Sequence, residues 1–256
     1  MSTPSPPITP RTTFTIDTVT ILSLLSFVLL ILIAHTTSTV LLPAKTTPFK
    51  TRLLYLWHAL DGLCHLTIEA SWLYNCFFIY HSLPPPDPAC GAHSSAVTPP
   101  NVYFLNRPDR LYGPAYGDGA TALLWQEYAK ADKRWGGSDL SLISLEILTA
   151  AIAGPGALFI CYLLVKSKGQ AFQNSATLWF TAVVVAWGEI YGSFITFAPE
   201  WLSGSPNLDT SNWMYMWLYL TFFNGLWILF PGWVLWEAWS AMGVAFGARG
   251  EGKKVV

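Results

Sequence analysis

The chain has 256 residues, of which 52% are hydrophobic and only 11% are charged. A soluble domain usually carries about 25% charged residues, so this composition argues against a water-exposed domain and favours one membrane-embedded bundle. The net charge of −1 gives no reason to expect nucleic acid or an acidic surface as a partner.

Cysteine placement argues against a disulfide framework and against zinc. Cys64, Cys76 and Cys161 lie inside apolar runs, whereas Cys90 lies in a loop, and no CxxC motif is present. We expect the thiols to be small buried apolar side chains.

The N-terminal part of the chain contains a tail and a first membrane span. Residues 1–13 are rich in Pro, Ser and Thr and are predicted to be a disordered tail. An apolar run over residues 14–35 follows, and it can cross a hydrocarbon core of roughly 30 Å at about 1.5 Å per residue. The run is longer than the apolar part of a typical signal peptide, so we predict a retained transmembrane helix.

Four further apolar runs contain polar or charged residues that a lipid-facing helix would reject. They cover residues 53–80, 140–165, 176–198 and 213–239. We therefore predict an all-α membrane protein, a bundle of five transmembrane helices, whose main domain covers residues 53–240. Residues 241–256 are predicted to form a cytoplasmic tail.

The long loop between the second and third runs has two parts. Residues 81–115 are rich in proline and are predicted to be an irregular insertion. Residues 121–134 alternate apolar and polar side chains at helical spacing, which predicts a short interfacial helix. Trp125 and Tyr128 suit the headgroup boundary, because each ring has one polar end.

Basic residues predict the orientation in the membrane. Lys and Arg follow the first, third and fifth runs, whereas residues 199–212 contain none, which indicates a cytoplasmic C-terminus. Basic residues of the long loop oppose this orientation, but long loops weigh little in the rule. The chain ends on Lys253, Lys254 and two valines, a dilysine pattern that predicts the endoplasmic reticulum membrane.

Three of the predicted spans carry polar pairs on one helix face, and a fourth contributes Glu189. His65 and Glu69 are four residues apart, and Glu146 and Thr149 are three apart, as are Asn224 and Trp227, while Glu189 lies near Tyr191. A single Asn, Thr or His in a membrane helix is more often a packing contact. Two deep carboxyl groups with a histidine one turn away are harder to explain in that way, because buried charge is costly. We predict that these side chains face one shared cavity.

Proton transfer to an apolar substrate is the chemistry that suits such a cavity. Apolar surroundings disfavour the anion of a carboxyl group, so the neutral acid can donate a proton. The face of Trp227 can stabilise a cation. Together these groups fit the protonation and deprotonation of an alkene.

Five segments resemble the emopamil-binding protein family, also called the EXPERA domain, whose enzymatic members are sterol Δ8–Δ7 isomerases. The segments are GLCHLTIEASW at 62–72, LWQEYAKADKRW at 124–135, LEILTAAIAGP at 145–155, GEIYGSFITF at 188–197 and WLYLTFFNGLWILFPGWVL at 217–235.

The resemblance implies a five-helix bundle whose cavity opens to the bilayer and which needs neither cofactor nor metal. In the implied reaction, the Δ8 alkene is protonated, a C8 cation forms and a proton leaves C7. The residues that match catalytic positions are His65, Glu69, Glu146, Asn224 and Trp227. The candidate substrate-binding residues are Tyr128, Asp132, Thr149, Glu189 and Tyr191.

Three positions depart from the family pattern and keep two alternatives open. Glu189 and Ser193 replace Gln and Asp, and Ala153 replaces a tryptophan, which should enlarge or reshape the cavity wall. The alternatives are an enzyme of specialised terpenoid or steroid metabolism and a non-catalytic sterol-binding protein. Expected partners are a sterol or terpenoid lipid, membrane lipids and cationic amphiphilic amines as inhibitors, with a homodimer as a candidate assembly.

Overall fold

The computed structural model describes residues 16–84, 102–167 and 175–252, with side chains as far as residue 247. The predicted tail over residues 1–13, most of the proline-rich insertion, Cys90 and the dilysine end lie outside the described residues.

Eight α-helices make up most of the described chain, and three π-helical segments adjoin five of them. The helices are α1 (Thr18–Leu41), α2 (Phe49–Leu63), α3 (Ala70–Phe78), α4 (Ala120–Tyr128), α5 (Leu140–Leu148), α6 (Gly154–Lys166), α7 (Ala176–Leu202) and α8 (Asn224–Gly252). The π-helical segments are Cys64–Glu69, Thr149–Ala153 and Met214–Phe223. They join α2 to α3, join α5 to α6 and precede α8.

A small hairpin and three short 3₁₀ turns complete the described structure. Strand β1 (Tyr80–Ser82) pairs antiparallel with β2 (Arg110–Tyr112), with Tyr80 opposite Tyr112. The turns cover Phe104–Asn106, Pro114–Tyr116 and Lys133–Gly136.

Four of the described helices are long and apolar enough to cross a membrane. They are Thr18–Leu41, Leu140–Lys166, Ala176–Ser203 and Met214–Gly247. The all-α membrane class predicted from the sequence is therefore confirmed at this level. The helical run over residues 49–78 is not one of these four, and it carries Lys50, Arg52, Asp61, His65 and Glu69.

Local sequence explains where several of these helices begin. The Asp17 carboxylate accepts a hydrogen bond from the Thr20 amide at 2.9 Å and so caps α1. Asp139 caps α5 in the same way, which fixes its start at the predicted residue 140. The predicted helix over residues 121–134 is shorter in the structure, because α4 ends at Tyr128 and a 3₁₀ turn follows.

Two glycines allow α2 and α6 to approach closely. A Cβ atom on Gly62 would lie 2.8 Å from Leu158 Cδ2, and a Cβ atom on Gly154 would lie 3.1 Å from His65 Cβ. The main core packs around this contact and includes Ala153, which does not line the cavity described below. The effect of Ala153 on the size or shape of the cavity wall therefore stays a prediction.

A second core holds the segment with α4 against α3 and α5. The rings of Trp125 and Trp135 stack with their centroids 4.9 Å apart, and the Trp72 indole donates a hydrogen bond to the Trp135 carbonyl at 2.9 Å. This packing brings Trp125 and Tyr128 over one end of a cavity inside the bundle.

Candidate active site

A cavity with about 1100 Å³ of space, including its mouth, lies between the long helices. All five long helical runs and α4 contribute side chains to it, including Phe27 of α1 and Leu145 of α5. The enclosed part of this space is about 180 Å³, and its lining combines apolar side chains with a few polar groups, as is typical of small-molecule sites.

The three π-helical segments coincide with the polar residues of this cavity. His65 and Glu69 lie in the first segment, Thr149 begins the second, and Asn224 follows the third. A π-helical turn widens the backbone and is frequent at functional sites, because it re-aims the side chains around it.

Two carboxyl groups from different helices meet at one hydroxyl group. Thr149 Oγ1 lies 2.9 Å from Glu146 Oε2 and 3.2 Å from Glu69 Oε2. Glu69 also contacts Nδ1 of His65. Glu69 and Glu146 therefore face the same chamber, with Thr149 between them.

The other ring nitrogen of His65 faces a carboxyl group that the sequence analysis missed. Nε2 of His65 lies 3.0 Å from Asp61 Oδ1, and the Trp227 indole donates a hydrogen bond to the same oxygen at 2.9 Å. Asp61 is fully buried. The spacing of Asp61, His65 and Glu69, each four residues apart, is the signal that could have revealed it.

A fourth carboxyl group, that of Glu189, completes the cluster. Its side chain is 3% exposed, and neither of its oxygens has a hydrogen-bond partner among the described residues. Ligating atoms of Glu189, Asp61 and His65 all lie within 4.8 Å of one another. This acid, which adjoins the Asp61 carboxyl group, lines the cavity.

Charge balance requires that the cluster retains protons. Four carboxyl groups surround one imidazole, and neighbouring carboxylates in a low-dielectric site cannot all be ionised. The arrangement can therefore both donate and accept protons. By residue type, it could also hold a divalent cation, through Asp61, His65 and Glu189 or through His65, Glu69 and Glu146.

A second polar region of the cavity lies around Asn224. Its amide donates to the Tyr128 hydroxyl at 2.9 Å and lies within 3.0 Å of the carbonyl oxygens of Tyr219 and Leu220. Burial raises the pKa of the Tyr128 hydroxyl, which therefore stays neutral. The Tyr219 hydroxyl donates to buried Glu127 at 2.9 Å, a further cavity residue that the sequence analysis did not single out.

Eight of the ten predicted site residues line the cavity, and two do not. Asp132 instead accepts a 2.6 Å hydrogen bond from the Arg134 guanidinium outside the cavity. Burial raises the pKa of the Asp132 carboxyl, and the facing Arg134 offsets part of that shift. Tyr191 is 56% exposed on the outer face of α7.

The fold and this cavity define an all-α membrane protein with a buried acid–base site. Residues 120–238 match the family model described as EBP, the EXPERA (EXPanded EBP superfamily) domain. The family resemblance found in the sequence is thus confirmed over residues 120–238.

Curated relatives include several isomerases. The chain is 28% identical over 204 residues to a probable 3-beta-hydroxysteroid-Delta(8),Delta(7)-isomerase of Oryza sativa subsp. japonica, covering 80% of this chain and 72% of the relative. It is 26% identical to the 3-beta-hydroxysteroid-Delta(8),Delta(7)-isomerase of Rattus norvegicus, covering 73% and 63%. It is 22% identical to a protoglabretal synthase of Ailanthus altissima, covering 75% and 68%.

Proposed function

We propose that the chain is a membrane-embedded isomerase that moves a sterol double bond from Δ8 to Δ7. The observation that carries this proposal is the contact of Glu69, Glu146 and Thr149 beside His65 in one largely apolar chamber. The similarity to named Delta(8),Delta(7)-isomerases supports the same reaction.

The proposed reaction needs one proton donated and one proton removed. A carboxylic acid of the Glu69–Glu146 pair protonates the alkene, whose π electrons form the new C–H bond and leave a cation at C8. Loss of a proton from C7 then forms the new double bond. General acid–base catalysis of this kind contributes about 10²–10⁴-fold.

Three side chains can act on the cation and on the position of the substrate. The indole of Trp227, held by its hydrogen bond to Asp61, presents an aromatic ring that stabilises positive charge. Asn224 and Tyr128 offer polar groups at the second region of the cavity, where they orient the lipid. These proton transfers use side chains alone and require no cofactor.

We propose that residues 49–78 form the fifth transmembrane helix. His58, Asp61 and His65 of this run are buried inside the bundle, so its charged groups need not face lipid. Helix α4 would then lie at the interface, with Trp125 and Tyr128 at the headgroup level. We further propose the endoplasmic reticulum membrane and a cytoplasmic C-terminus, from the basic residues and the dilysine end.

Expression in cells that lack sterol Δ8–Δ7 isomerase tests the proposal directly. Sterols are followed by mass spectrometry, and the expected result is conversion of accumulated Δ8-sterols to Δ7-sterols. Glu237→Gln serves as a matched control, because it removes a carboxyl group remote from the cavity. Persistent Δ8-sterol despite membrane expression of the full chain would overturn the proposal.

The second candidate function is isomerisation or cyclisation of a specialised terpenoid or steroid. Similarity to a protoglabretal synthase favours it, as do Glu189 and Ser193, which depart from the family pattern and line the cavity. A new terpenoid product, formed when such precursors are supplied while Δ8-sterols persist, would support this candidate.

Inhibitor binding tests the cationic intermediate independently of the substrate. A cationic amphiphilic amine should bind in the cavity, because its ammonium imitates the C8 cation beside Trp227 and the carboxyl groups. Binding that survives Trp227→Ala unchanged would place the amine elsewhere. Sterol binding without turnover would instead indicate a non-catalytic sterol-binding protein.

A further inference from the structure

The two ring nitrogens of His65 face two different carboxyl pairs. Nδ1 contacts Glu69, which shares the Thr149 hydroxyl with Glu146. Nε2 lies 3.0 Å from Asp61, whose neighbour is Glu189. We call the first pair, Glu69 and Glu146, the front pair, and the second, Asp61 and Glu189, the rear pair.

The rear pair is not explained as a structural ion pair. The carboxyl groups of Asp61 and Glu189 adjoin each other, and both side chains are at least 97% buried. Asp61 Oδ2, both oxygens of Glu189 and His65 Nε2 have no donor or acceptor elsewhere among the residues described that completes a hydrogen bond. An unsatisfied buried polar group costs about 1–3 kcal/mol, so its presence in a cavity wall asks for a function.

A double-bond shift creates a need that the rear pair can meet. After one turnover, one carboxyl group has lost a proton to the alkene, and another has gained a proton from the neighbouring carbon. The site is restored only when a proton returns from the second group to the first. An imidazole is suited to this return, because it can accept a proton on one nitrogen while it releases one from the other.

We propose that Asp61 and Glu189 form a second proton-exchange site, linked through His65 to Glu69 and Glu146, which returns the proton after each turnover. This inference rests on the proposed alkene isomerisation. One pair donates the proton that forms the new C–H bond. The other pair accepts the proton that leaves the neighbouring carbon, and the electrons of that broken C–H bond form the new double bond. Transfer of one proton across His65 then restores both pairs, without net gain or loss.

The link between the pairs can be tested without turnover. The full chain is placed in phosphatidylcholine nanodiscs, and infrared spectra are compared in the region where protonated carboxyl groups absorb. Glu146→Gln and Glu189→Gln should each remove intensity and shift the band that remains from the other pair, whereas Glu237→Gln should change neither. A double variant carrying Glu146→Gln and Glu189→Gln is measured in the same way. Spectral changes in it that equal the sum of the two single-variant changes would overturn the link.

The return of the proton is tested by isotope transfer. A Δ8-sterol with deuterium at C7 is converted in ordinary water, and the product is analysed for deuterium at C9. The wild-type chain should transfer a measurable fraction, and Glu189→Gln or Asp61→Asn should lower that fraction at least roughly twofold and slow turnover about tenfold. Complete loss of the label to water in the wild type, or unchanged transfer in both variants, would overturn the return path.

The two experiments separate this inference from the proposed function. A wild-type chain that leaves Δ8-sterols unchanged would refute the proposed isomerisation, while the infrared bands would still report whether the pairs are linked. Conversely, if the enzyme is active but the infrared bands of the two pairs respond independently, the proposed function stands and the second proton-exchange site is refuted.

Discussion

Two of the regions that bury charged groups in the described part of the chain satisfy these groups to very different degrees. In the first region, which we call the arginine clamp, Arg134 donates to both oxygens of Asp132, at 2.9 and 2.6 Å, and to the Thr196 carbonyl at 2.8 Å. Glu200 lies 3.5 Å from Arg134 and accepts two hydrogen bonds from Asn207. Every carboxylate of the clamp therefore has a donor.

The second region is the cavity cluster, which consists of His65 and the carboxyl groups of Asp61, Glu69, Glu146 and Glu189. Its carboxyl groups have few hydrogen-bond donors. Its four carboxyl groups share one imidazole, one threonine hydroxyl and one indole N–H, and Glu189 has no hydrogen-bond partner among the described residues. A satisfied network holds segments together, whereas an under-satisfied one is available for protons and ligands. The difference indicates that the clamp contributes stability and the cavity cluster contributes chemistry.

Removal of a cavity acid should separate activity from stability most strongly. We expect Glu146→Gln to lower turnover by about 10²–10⁴-fold while the thermal midpoint in detergent changes little, because the amide keeps the size and loses the acid. Initial rates of Δ7-sterol formation and melting curves measure the two effects. Wild-type turnover by this variant, or by His65→Ala, would remove the assignment of proton transfer to the cavity cluster.

Removal of the clamp cation should have the reverse effect. We expect Arg134→Ala to destabilise the fold by roughly 3 kcal/mol, because Asp132 would keep a buried and uncompensated charge. Thermal unfolding in detergent provides the measurement. A variant that melts like the wild type yet loses turnover would show that the clamp has a catalytic role.

The indole N–H of Trp227 connects the aromatic wall to the acids, and its loss should have a smaller effect. Trp227→Phe keeps an aromatic ring but deletes the hydrogen bond to Asp61, which we expect to slow turnover about tenfold, since a bond to a charged group contributes about 1.5–3 kcal/mol. Steady-state rates report the change. Trp57→Phe, a substitution in the packed core, serves as the matched comparison.

Chelation should have the smallest effect of all. If the cluster works through protons alone, treatment with EDTA followed by its removal should leave turnover within roughly twofold of the starting rate. Loss of activity that zinc or magnesium restores would show that a metal binds to one of the two three-residue groups that contain His65.

Helical spacing accounts for the part of the site that was predictable. His65 and Glu69, and Glu146 and Thr149, share faces because they are three or four residues apart, and the cost of buried charge turned those faces inward. The same geometry also explains why Tyr191 faces outward. It is two residues from Glu189, about 200° around the helix at 3.6 residues per turn.

Other features depend on contacts that spacing does not encode. The π-helical segments have no simple sequence signature, although they decide how the polar residues are aimed. Asp132 follows α4 in an irregular turn, so its partner Arg134, two residues away, could not be inferred from helix periodicity. The burial of Asp61 and His65, likewise, follows from packing rather than from hydropathy.

The contact between Gly62 and Gly154 has a consequence for how this sequence can vary. Because glycine has only a hydrogen atom as its side chain, the two helices can lie against each other beside His65. The distances between the acids therefore depend on residues that have no functional groups. A methyl group at position 154 would press on the Cβ atom of His65 at 3.1 Å, so this residue would have to shift by a few tenths of an ångström. Inactivating changes can therefore arise where no chemistry takes place, and the reactive side chains would remain unaltered.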